Sequence, residues 1–168
     1  MPKLFSDEEN KTRVAAFQTK LGEAGINVAI LTSIHNIMYF SGFWHGQPFG
    51  RHAVMVVPQS GECVLIAPRI EAFRARDFTW VKDLRDYNDN KSSIDSSTDL
   101  VVDVLGEMKL ENATLGIEHD SILLAQAKAL ESRVPNATTR DVSDILERQR
   151  IVKSAEEIAV SYKLARIC

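Results

Sequence analysis

Behind Ser6-Asp7-Glu8-Glu9, which has the form of a capping box, the apolar residues Val14, Phe17, Leu21 and Ala24 recur at three- and four-residue steps. That spacing predicts a helix ending at Gly22 or Gly25. Residues 27–31 then read as a short buried strand, and Thr32-Ser33 opens a short helical segment running through Met38 and Phe40 to Gly42. Two β-rich apolar runs, 53–57 and 63–67, flank Pro58-Gln59-Ser60-Gly61-Glu62 and predict a hairpin. Residues 69–78 read as a helix, 81–87 as a strand, 88–98 as a polar loop, and 95–108 as an amphipathic helix carrying Leu100, Val101, Val104, Leu105 and Met108. A strand at 114–118, an Ala- and Leu-rich helix at 121–133 stopped by Pro135, and a strand at 138–142 follow.

Hairpin strands followed by strands that alternate with helices predict an α/β fold, a three-layer α/β/α sandwich around a mixed central sheet. Ala29, Ile30, Val54, Val56, Val64, Ile66 and Ile117 fall in the apolar β-rich runs and are the expected sheet core. Residues 1–150 form one domain in this reading. Past Ile145 the character changes: Arg148-Gln149-Arg150 is basic, and Ser154-Ala155-Glu156-Glu157 has the form of a second capping box. The helix it opens carries Ile158, Ala159, Tyr162 and Ala165 on one face, and the pattern is still running at Cys168. Residues 151–168 therefore read as a linker and the start of a helix leading into a further domain that this chain lacks.

Composition narrows the class. Hydrophobic residues at 45% and charged residues at 26% are those of an ordinary globular domain. A net charge of −3 leaves no basic stripe for a phosphate backbone, so nucleic acid is not an expected partner. No apolar run approaches the roughly 18 residues of a membrane span, and the acidic start is unlike a secretory signal. The expected location is cytoplasmic, without a membrane partner, and the sequons at Asn10, Asn90, Asn112 and Asn136 then read as chance. Cys63 lies in an apolar run and Cys168 is the last residue; no disulfide framework is expected, and Cys63 reads as a buried strand thiol rather than a nucleophile.

The usual catalytic signatures do not occur. The histidines His35, His45, His52 and His119 lack metal-helix spacing, and Gly-x-Ser-x-Gly, the P-loop and Gly-x-Gly-x-x-Gly are missing, so no metal or cofactor is expected. Asp86-Tyr87-Asn88-Asp89-Asn90 imitates the start of a calcium loop but fails at Lys91 and Ser97. Glu118-His119-Asp120 looks catalytic, yet at a strand exit it reads better as a structural turn and helix cap. Phe43-Trp44-His45-Gly46-Gln47-Pro48-Phe49-Gly50-Arg51 resists a bland reading, because packing alone seldom asks for three aromatics, two glycines and an arginine in one loop. Aromatic faces attract cations and a guanidinium fork holds carboxylates, so the loop suits a small zwitterion such as a guanidino or amino acid. The alternative is that Phe43, Trp44 and Phe49 anchor the loop while Arg51 pairs with an internal acid.

The stretch Thr32-Ser33-Ile34-His35-Asn36-Ile37-Met38-Tyr39-Phe40-Ser41-Gly42-Phe43, followed by Phe49-Gly50-Arg51, resembles the matching segment of creatinases. Gly116-Ile117-Glu118-His119-Asp120 is similar to that family's strand exit, and Val152-Lys153-Ser154-Ala155-Glu156-Glu157 to its interdomain linker, shared with prolidases and Xaa-Pro aminopeptidases. The resemblance implies the creatinase/prolidase amino-terminal domain, ribonuclease H-like in architecture. It implies a non-catalytic role in a homodimer, with the chemistry done by a pita-bread domain beyond this chain. In that family a Phe and an Arg of the Phe-Gly-Arg element reach the partner subunit's substrate, which by position are Phe49 and Arg51; Trp44 and Gln47 become possible loop contacts. The loop runs one residue longer than in creatinases, and Pro68-Arg69-Ile70-Glu71 and Ala75-Arg76-Asp77 look more like a wider set of creatinase-related hydrolases and prolidases, so the parent reads as a creatinase-like C–N hydrolase or a metal-dependent Xaa-Pro peptidase. A stand-alone binding or regulatory module is the alternative of another class.

Overall fold

The computed structural model describes residues 3–46, 50–88 and 91–166. Among these the elements run α1 (Asp7–Glu23), β1 (Val28–Leu31), α2 (Ile34–Ser41), β2 (Val54–Pro58), β3 (Val64–Pro68), α3 (Arg69–Phe78), β4 (Asp83–Tyr87), α4 (Ser93–Met108), β5 (Thr114–Ile117), α5 (Leu124–Arg133), β6 (Thr138–Asp141), α6 (Ser143–Ile151) and α7 (Ala155–Ala165). The strands form one six-stranded sheet in the order β4-β3-β2-β1-β5-β6. β2 pairs antiparallel with both β1 and β3, whereas the β3–β4, β1–β5 and β5–β6 pairs are parallel. Every strand but β2 therefore points its carboxyl end to the same edge of the sheet.

Side chains alternate across the strands, and the alternation sorts the core into two layers. Ala29, Leu31, Met55, Val57, Leu65 and Ala67 pack with Val14, Phe17 and Leu21 of α1, Ile37 and Phe40 of α2, and Leu146 of α6. Val28, Ile30, Val54, Val56, Val64, Ile66, Leu115 and Ile117 pack instead with Val101, Val104 and Leu105 of α4 and Leu130 of α5. All seven expected core residues are buried, Ala29 in the first layer and the other six in the second. Gly116 sits where no side chain fits, since a Cβ there would stand 2.6 Å from Val142 Cγ1. Gly42 ends α2 in the left-handed region at φ 77°, and a Cβ would also press on Asn10 and the Phe78 carbonyl.

Several boundaries differ from the sequence reading, each for a local reason. α4 begins inside the expected loop, at Ser93, because the Ser92 hydroxyl accepts from Asp95 N and Arg133 reaches across to Asp95 and Asp99. α5 begins at Leu124, not 121, since residues 118–122 are spent in a turn in which the Glu118 carbonyl accepts from Ser121 N and Ile122 N. α6 has no counterpart in the sequence reading: it buries Leu146 over an otherwise polar helix, too thin a stripe to stand out. The second capping box is real, with Ser154 and Glu157 exchanging bonds at the start of α7. α7 buries none of its residues, and Ile158, Tyr162 and Leu164 are exposed. Its first turn is nonetheless fastened to the domain: Ser6 N and Oγ donate to Glu156, and Arg13 lies 3.6 Å from Glu157.

Candidate functional site

The chain enters β2 at the edge where β1, β3, β4, β5 and β6 end, so the second stem of the loop from α2, residues 50–53, stands where open α/β sheets place their ligands. Phe43 is fully buried and anchors the loop's first stem, whereas Trp44 is 54% exposed. The Arg74 guanidinium of α3 stands over the Trp44 ring at 5.3 Å and donates to the Trp44 carbonyl at 2.6 Å. Of the alternative in which three aromatics anchor the loop, Phe43 fits and Trp44 does not. Gln47 and Phe49 lie outside the described residues. Arg51 is half-buried on the second stem, after Gly50 at φ 70°.

The stems meet through histidine. His45, 1% exposed, stacks on Phe43 with ring centroids 5.9 Å apart and places Nε2 2.9 Å from the Arg51 carbonyl oxygen. Burial pushes this imidazole below the ordinary histidine range, opposed by its bond to Arg51 and by Glu71, and helped by Arg74. His52 is lowered in the same way, by burial first and then by His45. The His52 backbone N–H donates to Tyr87 Oη at 3.0 Å and Ser93 Oγ at 2.8 Å, and the His52 carbonyl accepts from Tyr87 Oη at 2.8 Å. The roles of His45, Tyr87 and Ser93 are not legible in the sequence, since the partners lie up to 41 residues apart.

Beside this loop a half-open crevice of about 190 Å³ runs between the ends of β1 and β5, lined by Thr32, Ser33, His35, His52, Ser121 and Gln126 among others. The chain leaves β1 for a helix on one face of the sheet and β5 for a helix on the other, the topology that opens such a crevice. The N–H groups of Thr32 and Ser33, two of the residues that line it, are already taken. Glu118, fully buried, accepts from Thr32 N at 2.5 Å, Ser33 N at 2.9 Å and Asn36 Nδ2 at 2.6 Å, and so fills the anion position at the start of α2. Arg150 Nη1 in turn donates to Asn36 Oδ1 at 3.2 Å, tying α6 into the same chain of bonds. Glu118 is thus a helix cap as expected, but of α2, 82 to 86 residues earlier, and not of the helix that follows it.

The remaining chemical readings resolve one by one. Asp86 is held by Arg69 at 2.5 Å in place of a cation. Asp120 and Asp141 accept from Ser143 Oγ, which turns the chain into α6. Cys63 is a buried thiol pushed up to about 12 by burial and Glu62, as a structural cysteine would be. Among the described residues no group of His, Cys, Asp and Glu side chains converges as metal ligands, and no helix is long and apolar enough to cross a membrane.

A creatinase from Bacillus sp. (strain B-0618) is 31% identical over 167 residues, 97% of this chain but 38% of that enzyme's length. An Xaa-Pro dipeptidase from Lactobacillus helveticus is 27% identical over 142 residues, 84% of this chain and 37% of its own. The fold matches a prolidase from Thermococcus sibiricus with TM-score 0.75 at 21% identity, over 89% of this chain and 39% of that one. It also matches the Creatinase/Prolidase N-terminal domain of an X-Pro dipeptidase from Streptococcus pyogenes with TM-score 0.69 at 19% identity, over 81% of this chain and 97% of that one. The model of the Creatinase/Prolidase N-terminal domain covers residues 13–152, and this chain belongs to that family of domains.

Proposed function

We propose that the chain is the non-catalytic amino-terminal domain of a creatinase-like C–N hydrolase, that it assembles as a homodimer, and that Arg51 holds a substrate carboxylate at the partner subunit's active site. The observation that carries this reading is the placement of Arg51: half-buried, on a fastened loop neck at the carboxyl edge of the sheet, in the loop whose first stem carries the exposed Trp44. The near full-length similarity to a creatinase of which the chain spans 38% supports a catalytic domain elsewhere in the parent. A guanidino or amino acid offers the carboxylate that a guanidinium fork holds and a cationic end that an aromatic face attracts. Phe49 and Gln47 join this proposal by position in the sequence alone.

The test is made in a parent protein that carries this domain ahead of its catalytic domain. Arg51→Lys keeps the charge and removes the fork, and losing one desolvated charge-assisted contact lowers kcat/KM by about 30- to several-thousand-fold. In a mixed dimer, one subunit carries Arg51→Lys and the other a dead catalytic domain. If the loop serves the partner, both lesions fall in one site and half the activity survives; activity near zero with both homodimers folded places Arg51 in its own subunit's site and overturns the reading.

A second reading, a metal-dependent Xaa-Pro peptidase parent, is favoured by the similarity to prolidases and dipeptidases. Release of proline from Xaa-Pro dipeptides that a chelator abolishes selects it; release of sarcosine from creatine that survives the chelator selects the first.

A further inference from the structure

We infer that His45 is the positioning residue of this site, acting with Tyr87 and Ser93 to clamp the single peptide group between Arg51 and His52 and thereby aim the Arg51 side chain. The inference rests on the proposed role of Arg51 and adds the device that would make it work. The oxygen of that peptide lies 2.9 Å from His45 Nε2, and its N–H donates to Tyr87 Oη at 3.0 Å and Ser93 Oγ at 2.8 Å. Both ends of one planar unit are gripped, by groups reaching it from the loop's first stem, from β4 and from α4. The carbonyl that follows is held as well, by Tyr87 Oη at 2.8 Å. A side chain on such a backbone starts from a fixed Cα–Cβ direction, which is what preorganised recognition requires.

The geometry also dictates the proton. A bond to a carbonyl requires that Nε2 carry the hydrogen, which in the neutral ring leaves Nδ1 bare. Among the described residues Nδ1 is buried without a hydrogen-bond partner, so a proton added there would have no acceptor. The groups near the ring are Phe43, His52, and Glu71 and Arg74 from α3, and burial outweighs both the bond to the Arg51 carbonyl and the Glu71 carboxylate, holding the imidazole below the ordinary histidine range.

The 168-residue chain itself carries the test, with no ligand present. In wild-type protein at neutral pH, ring nitrogen NMR is expected to show His45 as the Nε2–H tautomer. His45→Leu, which keeps bulk and removes the donor, is expected to speed hydrogen exchange of the His52 amide about tenfold relative to the Val56 amide, and His45→Gln, which restores a donor near the Nε2 position, to return most of that protection. An Nδ1–H tautomer in the wild type overturns the inference, as does unchanged His52 exchange in folded His45→Leu, or loss of protection that His45→Gln does not rescue. Because these measurements involve no substrate, their failure is separate from a failure of Arg51→Lys to affect turnover.

Discussion

Replacing Glu118 by Gln tests the part of the structure that fixes the carboxyl edge. The carboxylate takes Thr32 N and Ser33 N on Oε2 and Asn36 Nδ2 on Oε1. A glutamine has one acceptor oxygen, so its amide nitrogen must face either the two backbone N–H groups or the Asn36 amide. Asn36 cannot turn over to relieve the second case, because its Oδ1 already accepts from Arg150. Two donor–donor contacts therefore remain in the first orientation and one in the second. Loss of charge-assisted bonds together with a stranded buried donor comes to about 2–4 kcal/mol. With a urea m-value of about 2 kcal/mol/M, the unfolding midpoint falls by about 1–2 M. Adding Asn36→Asp supplies an acceptor to both the introduced glutamine amide and Arg150, so the double variant is expected to be more stable than the sum of the two single changes predicts. A stability loss below about 0.5 kcal/mol for Glu118→Gln, or strict additivity in the cycle, would refute the capping argument.

Ile66→Ala empties a fully buried position on the α4 side of the sheet and is expected to cost about 2–4 kcal/mol by urea unfolding, whereas Thr139→Ala on the exposed edge strand β6 stays within about 0.5 kcal/mol. The Arg13 guanidinium lies 4.2 Å from the Phe5 ring centroid and 4.3 Å from that of Tyr39, donates to Glu9, Asn10 and the Tyr39 carbonyl, and faces Glu157. Arg13→Leu is expected to cost about 3 kcal/mol and to expose the chain between α6 and α7 to limited proteolysis; an unchanged cleavage rate there would mean that Glu156 and Ser6 alone hold α7.

What the sequence discloses and what it withholds divide along physical lines. Elements with a strong period or a local stop signal are legible: α3 spans the expected residues 69–78, the hairpin of β2 and β3 follows its turn, and α7 opens at its capping box. α6 escapes because Leu146 is its only fully buried residue, and the start of α4 is hidden because Ser93 to Thr98 read as polar although Ser97 and Thr98 are buried. Composition and resemblance single out Arg51 and Trp44, while His45 stands in the same loop with nothing local to mark it. Its role exists only because the loop closes on itself, and those of Tyr87 and Ser93 only because β4 and α4 arrive beside it.

Glu118 likewise acquires its role only through the strand order. Its partners Thr32 and Ser33 lie 86 and 85 residues away, and no window of sequence contains both sides. The parallel pairing of β1 with β5 sets Ile30 against Ile117, so the residues just past both strands must emerge together. A carboxylate at the exit of β5 then meets the N–H groups of Thr32 and Ser33 at the entry to α2. Given the strand order, the cap follows; without it, Glu118-His119-Asp120 resembles a catalytic cluster. The same logic places the Arg51 loop, because β2 is the one antiparallel strand and its entry at Val54 lies beside the exit of β1 at Leu31. The described end of the connection, residues 50–53, therefore enters β2 at the carboxyl edge, where the Arg51–His52 peptide is held by His45, Tyr87 and Ser93.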